Sequence, residues 1–90
     1  MLFMVIERFR NGDAKAVYQR FRERGRMMPE GLDYVESWVE EDFNRCFQLV
    51  KSNDVALIGQ WTVQWEDLVD FEIVPVMTSQ EAAAVHAAAD

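Results

Sequence analysis

Residues 32–51 read LDYVESWVEEDFNRCFQLVK, and this stretch decides the fold. Two runs rich in β-branched and aromatic residues flank an acidic turn at residues 41–44, which is the pattern of a β-hairpin. A loop of even length would place Trp38 opposite Phe47 across the two strands. One face of the hairpin would then carry Tyr34, Glu36, Trp38, Phe47 and Leu49. A loop one residue longer or shorter would turn one strand over, so the register stays open.

Two further runs have the length and composition of strands. Residues 2–9 and residues 69–77 are almost continuously apolar instead of alternating between apolar and polar positions. Strands of this kind are covered on both faces. Pro75 has no N–H to donate to a strand ladder, which predicts that the last strand lies at a sheet edge or ends at this residue.

The segment between the first two strands predicts a helix that begins after Asp13, a favourable N-cap residue. Its apolar stripe has the spacing i, i+3, i+4 and i+7 and consists of Ala14, Val17, Tyr18 and Phe21. Gly25 has the position of a left-handed C-cap, where a residue without Cβ is favoured. The pattern therefore predicts an amphipathic helix that ends just before Gly25.

A second helix is predicted after the capping candidates at residues 52–54. Its apolar stripe consists of Leu57, Ile58, Trp61, Trp65 and Leu68. Trp61 and Trp65 are four residues apart, so both are expected to face the sheet. After the last strand, residues 79–90 form an alanine-rich tail that is either helical or frayed.

The order strand, helix, strand, strand, helix, strand is the βαββαβ pattern of an α+β, ferredoxin-like fold. Residues 1–78 are therefore expected to form a single domain, with the first and third strands at the centre of an antiparallel sheet and both helices on one face. The other face of the sheet is apolar as well and needs a cover. The sequence predicts that a second copy of the chain supplies this cover, in a homodimer.

Length and charge limit the classes of function. A chain of 90 residues holds one hydrophobic core. The net charge of −7 argues against nucleic acid as a partner, although all 9 basic residues lie at or before Lys51. The lone cysteine, Cys46, fits a reducing, cytoplasmic location. No apolar run approaches the roughly 20 residues needed to span a membrane, so no membrane partner is expected.

Several stretches resemble a known family: MLFMVIERFR, VYQRFRERGRM, ESWVEEDFNRCFQLV and DLVDFEIVPV. The family consists of small bacterial proteins and is defined only as a domain of unknown function, and the resemblance covers residues 1–82. This family resembles in turn the dimeric α+β barrel superfamily, in which two ferredoxin-like sheets pack face to face. Members of that superfamily include cofactor-independent monooxygenases, small isomerases and haem-degrading enzymes. The resemblance implies the fold and the dimer, but it supplies no catalytic motif for this chain.

The sequence contains no catalytic triad, no metal-ligand spacing and no phosphate-binding glycine loop, so neither a metal nor a cofactor is expected. His86 is the only histidine and lies in the alanine-rich tail, where a solvent-exposed position is expected. Cys46 is expected to be an inert buried thiol, because its neighbour Arg45 points to the opposite face of the strand.

The polar and aromatic residues of the strands leave two functions open. One is a small-molecule site, enzymatic or not, between the sheet and the helices. Its predicted lining consists of Tyr34, Glu36, Trp38 and Gln48. The other is a non-catalytic interaction or regulatory module, in which polar strand residues only fix the pairing of two copies. The residues expected to pair across that interface are Glu7, Arg8, Arg45 and Glu72.

Overall fold

The computed structural model describes residues 1–89 and has an α+β fold with one antiparallel sheet of four strands and three helices. The strands are β1 (Leu2–Phe9), β2 (Asp33–Val39), β3 (Arg45–Lys51) and β4 (Val69–Val76). The helices are α1 (Ala14–Arg24), α2 (Ala56–Thr62) and α3 (Ser79–Ala89). The strand order in the sheet is β2-β3-β1-β4, so β2 and β4 are its edges. The predicted α+β class and the antiparallel sheet are confirmed.

Helix α1 has both of the predicted caps. The Asp13 carboxylate accepts a hydrogen bond from the Ala16 N–H at 3.2 Å, which satisfies one of the free donors of the first turn. Gly25 has φ = 67°, a conformation that favours glycine, and its N–H donates to the Phe21 carbonyl at 2.8 Å. Local sequence chemistry therefore determines both ends of this helix.

Helix α2 is shorter than the apolar stripe predicts. It ends at Thr62 instead of continuing to Leu68, and the chain proceeds through turns with i→i+3 hydrogen bonds, such as the Trp65 N–H to the Thr62 carbonyl at 2.9 Å. Trp61 in α2 and Trp65 in these turns both lie in the core, where each indole N–H donates to the same backbone carbonyl of Arg26. The prediction that both tryptophans face the sheet is confirmed, whereas the predicted helix length is wrong.

The hydrophobic core lies on one side of the sheet, which we call the covered face. Its buried apolar residues are Phe3, Val5, Phe9, Leu32, Cys46, Val50, Ile58, Trp61, Trp65 and Val69. Partly buried residues of α1 and α2, including Val17 and Leu57, pack against this cluster. The two helices therefore cover a single face of the sheet, as their amphipathic patterns predict.

The other side of the sheet carries no helix of the core, and we call it the open face. Side chains alternate along a strand, so Leu2, Met4 and Ile6 point away from the buried Phe3 and Val5. Their partners across the ladders share this face, and all of these side chains are half-buried: Phe47, Leu49, Val74 and Val76. The open face is thus an apolar surface that the chain itself leaves accessible.

The pairing of β2 with β3 contains an irregularity at Val35. Trp38 lies opposite Phe47, as the even loop predicts, but Tyr34 lies opposite Val50 because the register shifts between Tyr34 and Glu36. An extra residue in one strand reverses the alternation of the side chains that precede it. Tyr34 therefore lies on the covered face, and its predicted place beside Glu36 and Trp38 is wrong.

Helix α3 begins with a side-chain N-cap from Thr78. The Thr78 hydroxyl accepts a hydrogen bond from the Glu81 N–H at 3.1 Å and donates to the Glu81 carboxylate at 3.1 Å. His86 is exposed on this helix, as expected. The tail predicted at residues 79–90 extends one residue past the described part of the chain, because Asp90 lies outside it. Within residues 1–89, no helix has both the length and the apolar character required to cross a membrane.

Candidate functional site

A cavity of about 190 Å³ lies between the covered face and the helices. Most of its wall is aromatic or aliphatic, and a few polar side chains reach it from the strands and from the segment after α1. Its lining residues are Glu7, Phe9, Val17, Tyr18, Phe21, Arg26, Ser37, Val39, Cys46, Gln48, Trp61 and Trp65. An apolar cavity with a few converging polar groups is the usual form of a small-molecule site.

Glu7 provides the most deeply buried polar group of the cavity. It belongs to the covered face because it alternates with Val5 and Phe9 along β1, and only 5% of its surface is exposed. The Gln48 side-chain amide donates a hydrogen bond to its carboxylate from the neighbouring strand β3. Burial raises the pKa of Glu7, and the bonds from Gln48 and Cys46 oppose this shift only in part. The Glu7 carboxyl is therefore held closer to its neutral form than an exposed glutamate.

Arg26 brings a positive charge to the same group. Its Nε donates to the Gln48 Oε1 at 3.2 Å, so one amide links the guanidinium to the Glu7 carboxyl. The guanidinium lies 3.9 Å from the ring centroid of Tyr34 and 5.1 Å from that of Phe21. Such stacking between rings favours a cation and fixes its plane. Glu7, Gln48 and Arg26 thus form a continuous hydrogen-bonded chain, which we call the polar relay.

The wall beside the polar relay is supported on two sides. The Ser37 hydroxyl and the Tyr34 hydroxyl lie 2.7 Å apart, and a longer contact of 3.5 Å joins Ser37 to Arg26. On the other side, the rings of Phe9 and Tyr18 meet edge to face with centroids 6.4 Å apart. Within the described residues, no buried side-chain nitrogen or oxygen atom lacks a hydrogen-bond partner. The polar groups of the cavity are therefore held in fixed positions.

Cys46 and Tyr18 contribute neutral groups to the cavity. Burial, with a smaller contribution from the nearby Glu7, raises the pKa of Cys46 to about 12. Burial also raises the pKa of Tyr18. A thiolate is the reactive form of cysteine, so Cys46 is unsuited to nucleophilic catalysis at neutral pH. The expectation of an inert buried thiol agrees with this environment.

The chemistry available at the cavity is binding and, at Glu7, proton transfer. A buried carboxyl with a raised pKa is the type of group that can accept or release a proton in a site. Among residues 1–89, no cluster of three or more His, Cys, Asp or Glu side chains has the arrangement of a metal site. The donors that converge on the cavity are an arginine, an amide and hydroxyl groups, which are groups that bind organic ligands.

The family model described as "Domain of unknown function (DUF3303)" matches residues 1–90. The chain belongs to the DUF3303 family. Membership confirms the resemblance to a domain of unknown function, and the family's description assigns no activity to the DUF3303 fold. Neither the search of curated proteins nor the search of solved structures found a match. The function of this DUF3303 protein is therefore unknown, and the cavity is the feature from which it has to be inferred.

The DUF3303 structure separates the residues that were predicted to form one ligand site. Gln48 lines the cavity, and Tyr34 supports it by stacking on Arg26. Glu36 and Trp38 lie on the open face, on the far side of the sheet, because they pair with Leu49 and Phe47, and the irregularity at Val35 separates Tyr34 from them. The predicted grouping of all four residues is corrected accordingly.

The residues predicted to pair across a dimer interface are also divided. Arg8, Arg45 and Glu72 lie on the open face, at its border. Glu7 lies on the covered face, so it points away from Arg8 and Arg45 and cannot pair with either of them. Arg45 already has a partner in its own chain, since its Nε donates to the Glu40 carboxylate at 2.7 Å.

Sequence reasoning assigned no site role to Arg26, Ser37 or Tyr18. Arg26 was one of the basic residues at or before Lys51, and Tyr18 was one member of the apolar stripe of the first predicted helix. The one available signal is that Arg26 directly follows the C-cap Gly25, where the chain leaves the helix and turns back over its end. This signal is weak, because it does not tell which strand residues the guanidinium will meet.

Proposed function

We propose that this protein binds a small, largely apolar molecule in the cavity between the covered face and the helices. The observation that carries the proposal is the polar relay of Glu7, Gln48 and Arg26, which converges on a cavity whose other walls are mainly aromatic. Burial of a carboxyl and a guanidinium beside an apolar space is costly unless the groups are bonded or serve a ligand. Cavities with this composition and a perturbed carboxyl are the default place for binding or catalysis.

The volume of the cavity limits the ligand. At about 190 Å³ it has room for roughly six water molecules, taking about 30 Å³ for each. Drug-sized ligands occupy larger pockets, of roughly 300–1,000 Å³. A molecule with a single ring or a short chain fits this space, and aromatic side chains such as Phe9 and Trp61 suit the face or edge of a ring.

The tryptophans provide a test of this binding site. In a fragment screen followed by NMR, single-ring compounds should shift the indole N–H signals of Trp61 and Trp65, which line the cavity. The Trp38 signal should stay in place, because this residue lies on the opposite face of the sheet.

A variant that fills the cavity sharpens the same experiment. Val17→Phe places a ring in the cavity and should remove the response to the fragments, whereas Val63→Phe, at a residue that is 59% exposed, should retain it. If no fragment moves the two indole signals, or if Val17→Phe responds like the unmodified protein, the cavity is not the binding site.

We further propose that the fold is ferredoxin-like over residues 1–78, with residues 79–90 as an added segment, and that two copies pack by their open faces into a dimeric α+β barrel. The support is the apolar open face, on which Trp38 is 51% exposed beside half-buried aliphatic side chains. Contiguous apolar surfaces of this kind are typical of interfaces. Arg8 and Glu72, at the border of this face, carry opposite charges that suit a symmetric contact.

A positive charge introduced into the open face tests the dimer. Leu49→Lys places a cation in the middle of the open face and should convert a particle of twice the 10.5 kDa chain mass into a monomer in sedimentation at micromolar concentration. Val63→Lys adds the same charge on the helix side and should leave the dimer intact. A monomer for the unmodified protein, or equal masses for the two variants, would exclude the proposed interface.

The proposed setting is the bacterial cytoplasm. A single cysteine held as a buried free thiol fits a reducing compartment, and the bacterial origin rests on the family resemblance. Nucleic acid is not proposed as a partner, since the net charge of −7 opposes binding to phosphates.

A further inference from the structure

Arg26 differs from the other arginines whose contacts are fixed in the structure. Arg10, Arg20 and Arg45 each form an ion pair, with Asp70, Asp67 and Glu40 respectively. Arg26 is half-buried and lies between two aromatic rings, but within residues 1–89 it forms no ion pair with a carboxylate. The one carboxyl linked to Arg26 through Gln48 is that of Glu7, whose burial favours the neutral form, so the partly buried guanidinium favours an anion from outside the chain.

The geometry of the guanidinium leaves donors for such an anion. Arginine has five N–H donors, and the Nε of Arg26 donates to Gln48 while one Nη makes the longer contact with Ser37. The remaining N–H groups have no partner among the described residues. A planar fork of this kind matches the two oxygens of a carboxylate, which it binds with paired, charge-assisted hydrogen bonds.

We propose, on the basis that the cavity is a ligand site, that its ligand is a small monocarboxylate with a flat apolar body. The carboxylate accepts hydrogen bonds from Arg26, and the body packs against the aromatic wall formed by Phe21, Trp61 and neighbouring rings. One guanidinium balances one negative charge, which favours a carboxylate over a phosphate dianion. The narrow, mainly apolar cavity favours a single ring over a sugar or a nucleotide.

Glu7 makes this binding dependent on pH. The groups that face its carboxyl are Gln48 and Cys46 from β3, Arg26 from the segment after α1, and Tyr18 from α1. Of these, only Arg26 is positive at neutral pH. An ionised Glu7 competes with the ligand for that charge, whereas a neutral Glu7 does not. Affinity for the carboxylate should therefore fall as the pH rises and Glu7 loses its proton.

Calorimetric titration with benzoate and its neutral analogue benzamide tests the inference. Benzoate should bind at least tenfold more tightly than benzamide to the unmodified protein. Arg26→Met should lose this preference and should weaken benzoate binding at least tenfold, with benzamide binding little changed. Arg22→Met removes a positive charge from an exposed position of α1 and serves as the matched control, with binding unchanged. The Arg26 carbonyl that anchors the tryptophans is a backbone group and is retained in the variant.

The outcomes separate this inference from the proposed function. Equal binding of benzoate and benzamide, or full benzoate affinity in Arg26→Met, overturns the carboxylate assignment and leaves a neutral-ligand site. Failure of both compounds to bind also overturns it, while the NMR fragment screen decides independently whether the cavity binds any small molecule. If Arg26→Met does not fold, Arg26→Lys replaces it: it keeps the charge but loses the fork, and undiminished benzoate affinity in that variant contradicts paired binding.

Discussion

The two faces of the sheet come from the same strands but carry different kinds of side chain. On the covered face, β1 presents Phe3, Val5 and Phe9, which are buried, and Glu7, which is buried as well. On the open face, the same strand presents aliphatic side chains that are half-buried, and its charged residue Arg8 is exposed. One face thus holds a polar group inside the protein, whereas the other keeps its charges at the surface.

This difference indicates where function is to be sought. A charged group at the border of the open face remains hydrated, so its presence needs no special explanation. A carboxyl on the covered face loses its hydration, and its burial is tolerated because the Gln48 amide donates a hydrogen bond to it. The polar relay is therefore the feature of this fold that stability alone does not account for, while the open face has the character of an interface.

The largest difference between the faces should appear in a pair of tryptophans. Trp61 is 1% exposed and donates its indole N–H to the Arg26 carbonyl, so Trp61→Ala should lower the free energy of unfolding by about 3–5 kcal/mol. Trp38 is 51% exposed, and Trp38→Ala should cost the monomer about 1 kcal/mol or less. Urea denaturation at a concentration that keeps the chain monomeric measures both values. Similar losses for the two variants would contradict the difference in burial.

Cys46 on the covered face should contribute less to stability than Trp61. Its thiol should react much more slowly than a cysteine introduced on the open face. Cys46→Ser should lower the free energy of unfolding by about 1–2 kcal/mol, because it places a hydroxyl in the core. With a pKa of about 12, only about one Cys46 thiol in ten thousand is ionised at pH 8, so a thiol reagent should label it far more slowly than the unfolded chain.

The matched cysteine lies on the open face. In the Cys46→Ser background, Leu49→Cys should react much faster than Cys46 in dilute solution, and more slowly as the protein concentration rises and the dimer covers it. Rapid labelling of native Cys46 would show that the covered face opens readily. A Leu49→Cys rate independent of concentration would argue against the dimer.

The smallest effect is expected from a pair of glutamates. The pKa of Glu7 is raised in the folded protein above its ordinary value of 4.5, so the folded state binds more protons than the unfolded state as the pH rises above that value. The contribution of Glu7 is fully favourable below pH 4.5 and is lost as the pH rises through the folded-state pKa. Glu7→Gln should therefore gain stability relative to the unmodified protein as the pH rises, with a flatter stability profile.

Glu72→Gln is the control for this prediction at a protein concentration that keeps the chain monomeric, because it removes the same charge from an exposed position on the open face. Its stability should follow that of the unmodified protein across the pH range. Thermal unfolding from pH 4 to pH 8 measures all three proteins. A Glu7→Gln variant that is less stable than the unmodified protein at every pH would show that the Glu7 carboxylate contributes favourably in its ionised form.

Features that depend on near neighbours in the chain were determined by the sequence itself. The caps at Asp13 and Gly25 use groups within four residues of each other, and the alternation along β1 follows from backbone geometry alone. The strand positions, the start of α1 and the burial of Trp61 and Trp65 could be predicted for this reason. The even loop between β2 and β3 also predicted the opposition of Trp38 and Phe47.

Only the tertiary structure decided the site. The register shift at Val35 inserts one residue into an otherwise regular strand, and no side chain at this position predicts it. The shift places Tyr34 on the covered face and leaves Glu36 and Trp38 on the open face. Gln48 meets Arg26 and Glu7 across 22 and 41 positions of the sequence. Contacts at such separations depend on how helices and strands pack, which local propensity and periodicity do not encode. The sequence thus determined which strands and helices form, and packing determined which of their side chains share a cavity.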